Sequence, residues 1–200
     1  MNNKIIILVG PSGSGKSTLE KFLKDSYNVN PLVSTTSRAP RAGEIDGVHY
    51  HFKTPEEFEQ MIKEDTFVEH TQYVSNYYGV TKAEIASKRD KDIVCTLDRN
   101  GALVLKELFR DDTEIIFIKT SVQNLEARMI QRGDSPQAIV DKLANIQKTN
   151  ELANEDIADW LVSNDKELGD TKSQLQEIMF SIFLDAHLNQ EESNYEKKRH

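Results

Sequence analysis

The chain is predicted to adopt an α/β fold in which a mostly parallel sheet is flanked by helices. Three observations lead there. Ile5-Ile6-Ile7-Leu8-Val9, Ile93-Val94-Cys95-Thr96-Leu97 and Ile115-Ile116-Phe117-Ile118 are apolar with little alternation, as suits strands buried on both faces of a parallel sheet. Amphipathic stretches lie between these runs, so strand and helix alternate. The length of 200 residues fits one domain with insertions.

Taken in order, the first strand runs into a glycine-rich turn and then a helix, where Leu19, Phe22 and Leu23 fall at i, i+3 and i+4. Residues 34–83 break the rhythm. They read as short polar strands around one helix, opened by Thr54-Pro55-Glu56-Glu57, a capping box with proline at the first helical position. Phe58, Met61 and Ile62 supply its apolar side. This stretch is expected to be an inserted subdomain carrying ligand contacts. After the Cys95 strand, Leu103, Leu105 and Leu108 suggest another helix. A second insertion is expected around 126–141, where Arg128, Arg132 and Gly133 precede the helix start Ser135-Pro136. Trp160-Leu161-Val162 is a shorter strand candidate, and Leu175, Ile178, Met179, Ile182 and Phe183 form the stripe of a last helix. From Gln190 onward the chain is highly polar and is expected to fray.

Composition narrows the function classes. Acidic residues outnumber basic ones by 33 to 25, for a formal net charge of −8. Such a balance argues against nucleic acid as a partner, since non-specific binding there rests on Lys and Arg neutralising phosphates. No apolar stretch approaches the roughly 20 residues that span a bilayer, so no membrane association is expected. The first strand meets the glycine-rich turn so early that no cleavable signal fits, and a cytoplasmic location is the default. The single cysteine, Cys95, lies in an apolar run and reads as a small buried hydrophobe.

The strongest motif is Gly10-Pro11-Ser12-Gly13-Ser14-Gly15-Lys16-Ser17, a full match to the P-loop pattern between a hydrophobic strand and an amphipathic helix. Glycines let successive backbone N–H groups turn inward toward phosphate oxygens, and the helix that follows adds its partial positive charge. Lys16 is expected to reach the β- and γ-phosphates, with Thr18 just inside the helix. Ser17 is expected to offer its hydroxyl to Mg²⁺. A nucleoside triphosphate is therefore the expected donor, while the motif alone leaves the acceptor open.

A second constellation bears on that acceptor. In Ser34-Thr35-Thr36-Ser37-Arg38-Ala39-Pro40-Arg41-Ala42-Gly43-Glu44, two arginines three apart are held by Pro40 and Gly43. They can fork onto one phosphate or form a solvated basic loop. Tyr50 adds a phenol nearby, Phe67-Val68-Glu69-His70 sets an acid in strand-like context, and Asn76-Tyr77-Tyr78-Gly79 sets two aromatics before a glycine.

With these motifs in place, the chain resembles guanylate kinase over nearly its whole length. The likeness runs from the P-loop through Ser34, Arg38, Arg41, Gly43-Glu44, Asp46-Gly47, Tyr50, Phe52, Phe67, Glu69 and Asn76-Tyr77-Tyr78-Gly79 to Val162-Ser163-Asn164-Asp165. It implies a P-loop nucleoside monophosphate kinase fold with one domain over 1–188. The core would be 1–33, 84–125 and 142–188, the GMP-binding insertion 34–83 and the lid 126–141, followed by a polar tail at 189–200. It implies Mg²⁺ and ATP, and a monomer or homodimer. Arg38, Arg41, Tyr50 and Tyr78 would hold the GMP phosphate, Ser34 and Glu69 would contact guanine, Arg128 and Arg132 would serve from the lid, and Asn164 would lie near adenine.

The chain departs from the family at three places. Val80 follows Asn76-Tyr77-Tyr78-Gly79 where the family usually has Ser or Thr, and Thr81 faces the other way in an extended strand. The acid-rich turn after the Cys95 strand shortens to Leu97-Asp98-Arg99-Asn100-Gly101. Asp98 there reads either as the acid that holds Mg²⁺ through water or as a helix N-cap. Lys142 replaces a family arginine, keeping the charge without the planar fork. These departures predict a slow enzyme whose kcat rises on Lys142→Arg. They leave open a different acceptor (dGMP, another purine monophosphate or a phosphorylated sugar) and a binding module of the same fold.

Overall fold

The computed structural model describes residues 3–73 and 75–197, with side chains through Leu184. The first half of the chain forms β1 (Ile5–Val9), α1 (Lys16–Ser26), β2 (Asn30–Pro31), β3 (Thr35–Thr36), β4 (His51–Phe52), α2 (Pro55–Lys63), β5 (Phe67–Tyr73), β6 (Asn76–Thr81) and α3 (Lys82–Lys88). The second half forms β7 (Ile93–Thr96), α4 (Arg99–Phe109), β8 (Thr113–Lys119), α5 (Val122–Gln131), α6 (Pro136–Lys148), β9 (Trp160–Ser163) and α7 (Leu168–Lys197).

Five strands make a parallel sheet in the order β2-β7-β1-β8-β9. All five residues of the central β1 are buried, and the pleat sends them to opposite layers. Ile5, Ile7 and Val9 pack with Ile93, Cys95, Ala102, Leu105 and Phe117, whereas Ile6 and Leu8 pack with Leu19, Leu23, Leu175 and Met179. Each such aliphatic side chain, fully buried, contributes about 1.5–3 kcal/mol. The unbroken apolar run of β1 is thus explained by two hydrophobic layers rather than one.

Residues 35–81 build a second sheet in the order β4-β3-β6-β5, with β6 antiparallel to both β3 and β5. On its outer side, α2 starts at the expected capping box: Thr54 Oγ1 accepts from the Glu57 N–H and Glu57 Oε2 accepts from the Thr54 N–H. Phe58 of α2 stacks on Phe67 and Tyr77 with ring centroids 4.5 and 5.3 Å apart. Since Tyr77 turns outward to α2, its neighbour Tyr78 turns to the other face of the sheet. A third, small core joins α5 to α6 through Leu125, Met129, Ile139 and Ile146.

Two elements differ from expectation. The helix marked by Leu103, Leu105 and Leu108 forms, yet Leu103 and Leu108 are 41% and 58% exposed. Its inward face is Gly101, Ala102 and Leu105, because the helix starts at Asp98 and its phase is fixed by packing against β1 and β5. The backbone of α7 continues helically through the polar stretch to Lys197, where fraying from Gln190 is expected; residues 198–200 of that tail lie outside the described ones.

Candidate active site

The carboxyl ends of β1 and β7 open onto a cleft of about 770 Å³, where parallel α/β sheets bind their ligands. The P-loop forms one wall. Gly10 and Gly15 hold φ of 153° and 94°, and a Cβ on them would lie 2.8 Å from the Ile118 carbonyl oxygen and 2.6 Å from Asn164 Nδ2. Only glycine fits either place. Lys16 folds back, its Nζ donating to the carbonyls of Gly10 at 2.6 Å and Pro11 at 2.9 Å. Burial lowers its pKa to about 8, against the pull of the Glu151 carboxylate and with the help of Arg132. Ser12, Gly13, Ser17 and Thr18 line the same wall.

The loop is braced from behind. Buried Asn164 donates through Nδ2 to the Ser14 carbonyl at 2.7 Å, and its Oδ1 accepts from Thr171 at 2.9 Å. Arg128 donates to the Asn164 carbonyl at 2.6 Å and to the Ser14 carbonyl at 3.3 Å. Arg128 still lines the cleft, but Asn164 does not. Its amide supports the cradle from behind.

Across the cleft stands the arginine pair. Glu44 organises it, accepting from Arg38 Nη2 at 2.9 Å and from the Arg41 N–H at 2.7 Å. The Arg38 guanidinium lies over the rings of Tyr50 and Phe52, 5.3 and 5.8 Å from their centroids. Tyr50 meets Tyr78 edge-on at 6.1 Å. Arg38, Arg41, Tyr50, Tyr78 and Ser34 all line the cleft, with Arg38 half-buried and Arg41 exposed.

Glu69, only 8% exposed, points into the same space from β5. Burial, with repulsion from Asp98, raises its pKa to about 8, against a backbone N–H of Val80 that favours the carboxylate. Room for Glu69 comes from Gly101 of α4, where a Cβ would sit 2.8 Å from Glu69 Oε2. Asp98 is the N-cap of α4, accepting from the Gly101 N–H at 2.8 Å, and it lines the cleft as well. The two readings of Asp98 are therefore compatible.

The departures now have places. Val80 is fully buried in the core beside Ile5 and Ile85. Thr81 is spent as the N-cap of α3, accepting from the Glu84 N–H at 3.1 Å. Neither brings a hydroxyl to the cleft. Lys142 is bound to Asp134 at 2.6 Å, the same carboxylate that Arg132 grips through Nε at 3.0 Å and Nη2 at 2.5 Å. Arg132 lines the cleft and Lys142 does not.

Sequence reasoning missed Thr71, Tyr73, Asn145 and Glu151 on the cleft walls. The first two had a signal: with Glu69 facing inward, residues i+2 and i+4 of the same strand share its face. Asn145 and Glu151 had none.

Comparison with known proteins gives a consistent family. A family model described as guanylate kinase matches residues 2–182. A guanylate kinase of Clostridium perfringens (strain SM101 / Type A) is 39% identical over 153 residues, which are 74% of this chain and 71% of the relative. One from Rickettsia felis is 35% identical over 179 residues, 88% of this chain and 92% of the relative. The crystal structure of guanylate kinase from Anaplasma phagocytophilum matches with a TM-score of 0.68 at 24% identity, covering 90% of this chain and 86% of that one. That structural likeness bears on the fold alone.

Proposed function

The chain belongs to the guanylate kinase family, and on that premise we infer that it transfers the γ-phosphoryl group of ATP to GMP, giving ADP and GDP. One observation carries the reading to these residues: the P-loop, the Arg38–Arg41 fork and buried Glu69 open onto a single cleft.

The P-loop N–H groups and Lys16 take the donor phosphates, Lys16 exchanging its two carbonyl partners for phosphate oxygens. Arg38, Arg41, Tyr50 and Tyr78 take the acceptor phosphate. Guanine offers an N1 proton and an exocyclic amino group that adenine lacks at that position, and the Glu69 carboxylate accepts from both, with Ser34 beside it. Adenine leaves the buried acid unpaired, a penalty that supports strong discrimination. With Val80 and Thr81 offering no hydroxyl to the cleft, base reading falls on Glu69 and Ser34.

Transfer itself asks for position and charge. An oxygen of the GMP phosphate attacks the γ-phosphorus in line while the bond to the bridging oxygen of ADP breaks, and no general base is needed. Arg128 and Arg132 face the developing negative charge from the lid side. Ser17 and Asp98 are oxygen donors on the cleft wall, the donor type that Mg²⁺ prefers, and would hold it directly and through water. When bound, the ion neutralises charge between the β- and γ-phosphates.

In domain terms, 34–83 serves as the acceptor-binding insertion, 126–141 as the lid and the remainder as core. Among the described residues no helix is long and apolar enough to cross a membrane, and we place the enzyme with its nucleotide substrates in the cytoplasm. The reading is tested by ADP release with Mg²⁺-ATP and GMP, dGMP, AMP, IMP, CMP or UMP. Turnover led by GMP supports it; turnover led by another acceptor, or none with ATP bound, refutes it.

A further inference from the structure

One polar group of side chains in the cleft has no part in the transfer just described. Asn145 of α6 donates through Nδ2 to Glu151 Oε1 at 3.1 Å, and Thr149 Oγ1 donates to the same oxygen at 3.2 Å. Tyr73, the last residue of β5, brings its ring up to Asn145 and Glu151 from the other side of the cleft. Its hydroxyl is buried there without a partner at hydrogen-bonding geometry. Glu151 lines the same cleft as Lys16, and their opposite charges attract. Tyr73 thus extends the strand face that carries Glu69, while Asn145 and Glu151 follow directly on the segment that carries Arg132.

We propose that Tyr73, Asn145 and Glu151 are positioning residues, forming a polar latch that joins the acceptor-side strand to the donor-side segment and couples the binding of the two nucleotides. A buried hydroxyl left without a partner costs free energy that a small closure recovers. Donor phosphates supply the means. They draw Lys16 off the Gly10 and Pro11 carbonyls and toward themselves, which weakens its attraction for the Glu151 carboxylate, and that carboxylate then accepts from the Tyr73 hydroxyl. Closing this contact holds β5, and with it Glu69, against the donor side. Coupling of this kind is reciprocal, so GMP tightens ATP as much as ATP tightens GMP.

The latch rests on the donor and acceptor reading above. Its test is the Kd of GMP, by calorimetry, with and without Mg²⁺ and β,γ-imido-ATP. In the parent protein the analogue is expected to tighten GMP about fivefold or more, the usual lower end of such coupling. Tyr73→Phe, which keeps the ring and removes the donor, and Glu151→Leu, which removes the acceptor, should each bring that ratio toward one. The double variant should go no further, because the two side chains act through one contact. A ratio near one in the parent with both nucleotides bound overturns the latch alone, as does an undiminished ratio in both single variants. Failure of GMP or the analogue to bind the parent overturns the underlying reading instead.

Discussion

Gly101 is the position where stability and base selection meet, and Gly101→Ala separates them. The added Cβ would lie 2.8 Å from Glu69 Oε2, 2.9 Å from its Cδ and 3.4 Å from its Cγ. Relaxed heavy-atom contacts sit near 3.5–4.0 Å, so the buried carboxylate has to shift. Overpacking of this kind costs about 1–3 kcal/mol. Against it stands the helix preference for Ala over Gly, about 1 kcal/mol. The expected net loss is about 1 kcal/mol, or roughly 2–4 °C in Tm for a chain of this size, together with a lower kcat/KM ratio for GMP over AMP. In a Glu69→Ala background the obstacle is gone and only the helix term remains. There Gly101→Ala should raise Tm by a similar amount. Thermal unfolding of the four proteins reads the sign change directly. An increase in Tm in both backgrounds would mean that Glu69 does not fill the space over α4.

Three more outcomes follow from the site. The Glu69 pKa, raised from 4.5 to about 8, means that the free protein holds this proton at neutral pH, while guanine needs the carboxylate. GMP binding at pH 7 should therefore release a proton, seen as a buffer-dependent calorimetric enthalpy that Glu69→Gln abolishes. For stability the sign is opposite. The native state binds the proton better than the unfolded chain, so this contribution is complete below pH 4.5 and is lost as pH rises through about 8. Arg41→Ala should raise the KM for GMP far more than that for ATP, and equal rises would remove Arg41 from the acceptor phosphate. Arg132→Met should lower kcat by about 10²–10³, the usual cost of losing one preorganised charge-stabilising donor. Lys142→Met, which loosens Asp134 instead, should lower kcat much less, and equal losses would return Lys142 to the chemistry.

What was legible in the sequence was local. The P-loop and the capping box at Thr54 are fixed by neighbours a few residues apart, and the β1 run announces burial by itself. The strand face of Glu69 also follows from alternation, although only Glu69 was taken from it. The rest depends on contacts between distant segments. Nothing near Asn164 announces that its amide will hold Ser14 from behind. Strands of two residues, such as β2, β3 and β4, are too short to carry a period. In α4 the leucines announced the helix, but only Leu105 of the three lies inward, beside Gly101 and Ala102, where the helix packs on β1 and β5.

The grip of Asn164 on the Ser14 carbonyl joins residues 150 positions apart. The cradle motif leaves the ribosome long before the amide that steadies it. During synthesis, a nascent chain thus carries a complete P-loop sequence for most of its length without a finished cradle. Affinity for ATP should switch on only when the segment through Thr171 has emerged and docked. Nucleotide then arrives as an inspector of the docked cradle, and it stabilises only chains in which these two segments have met.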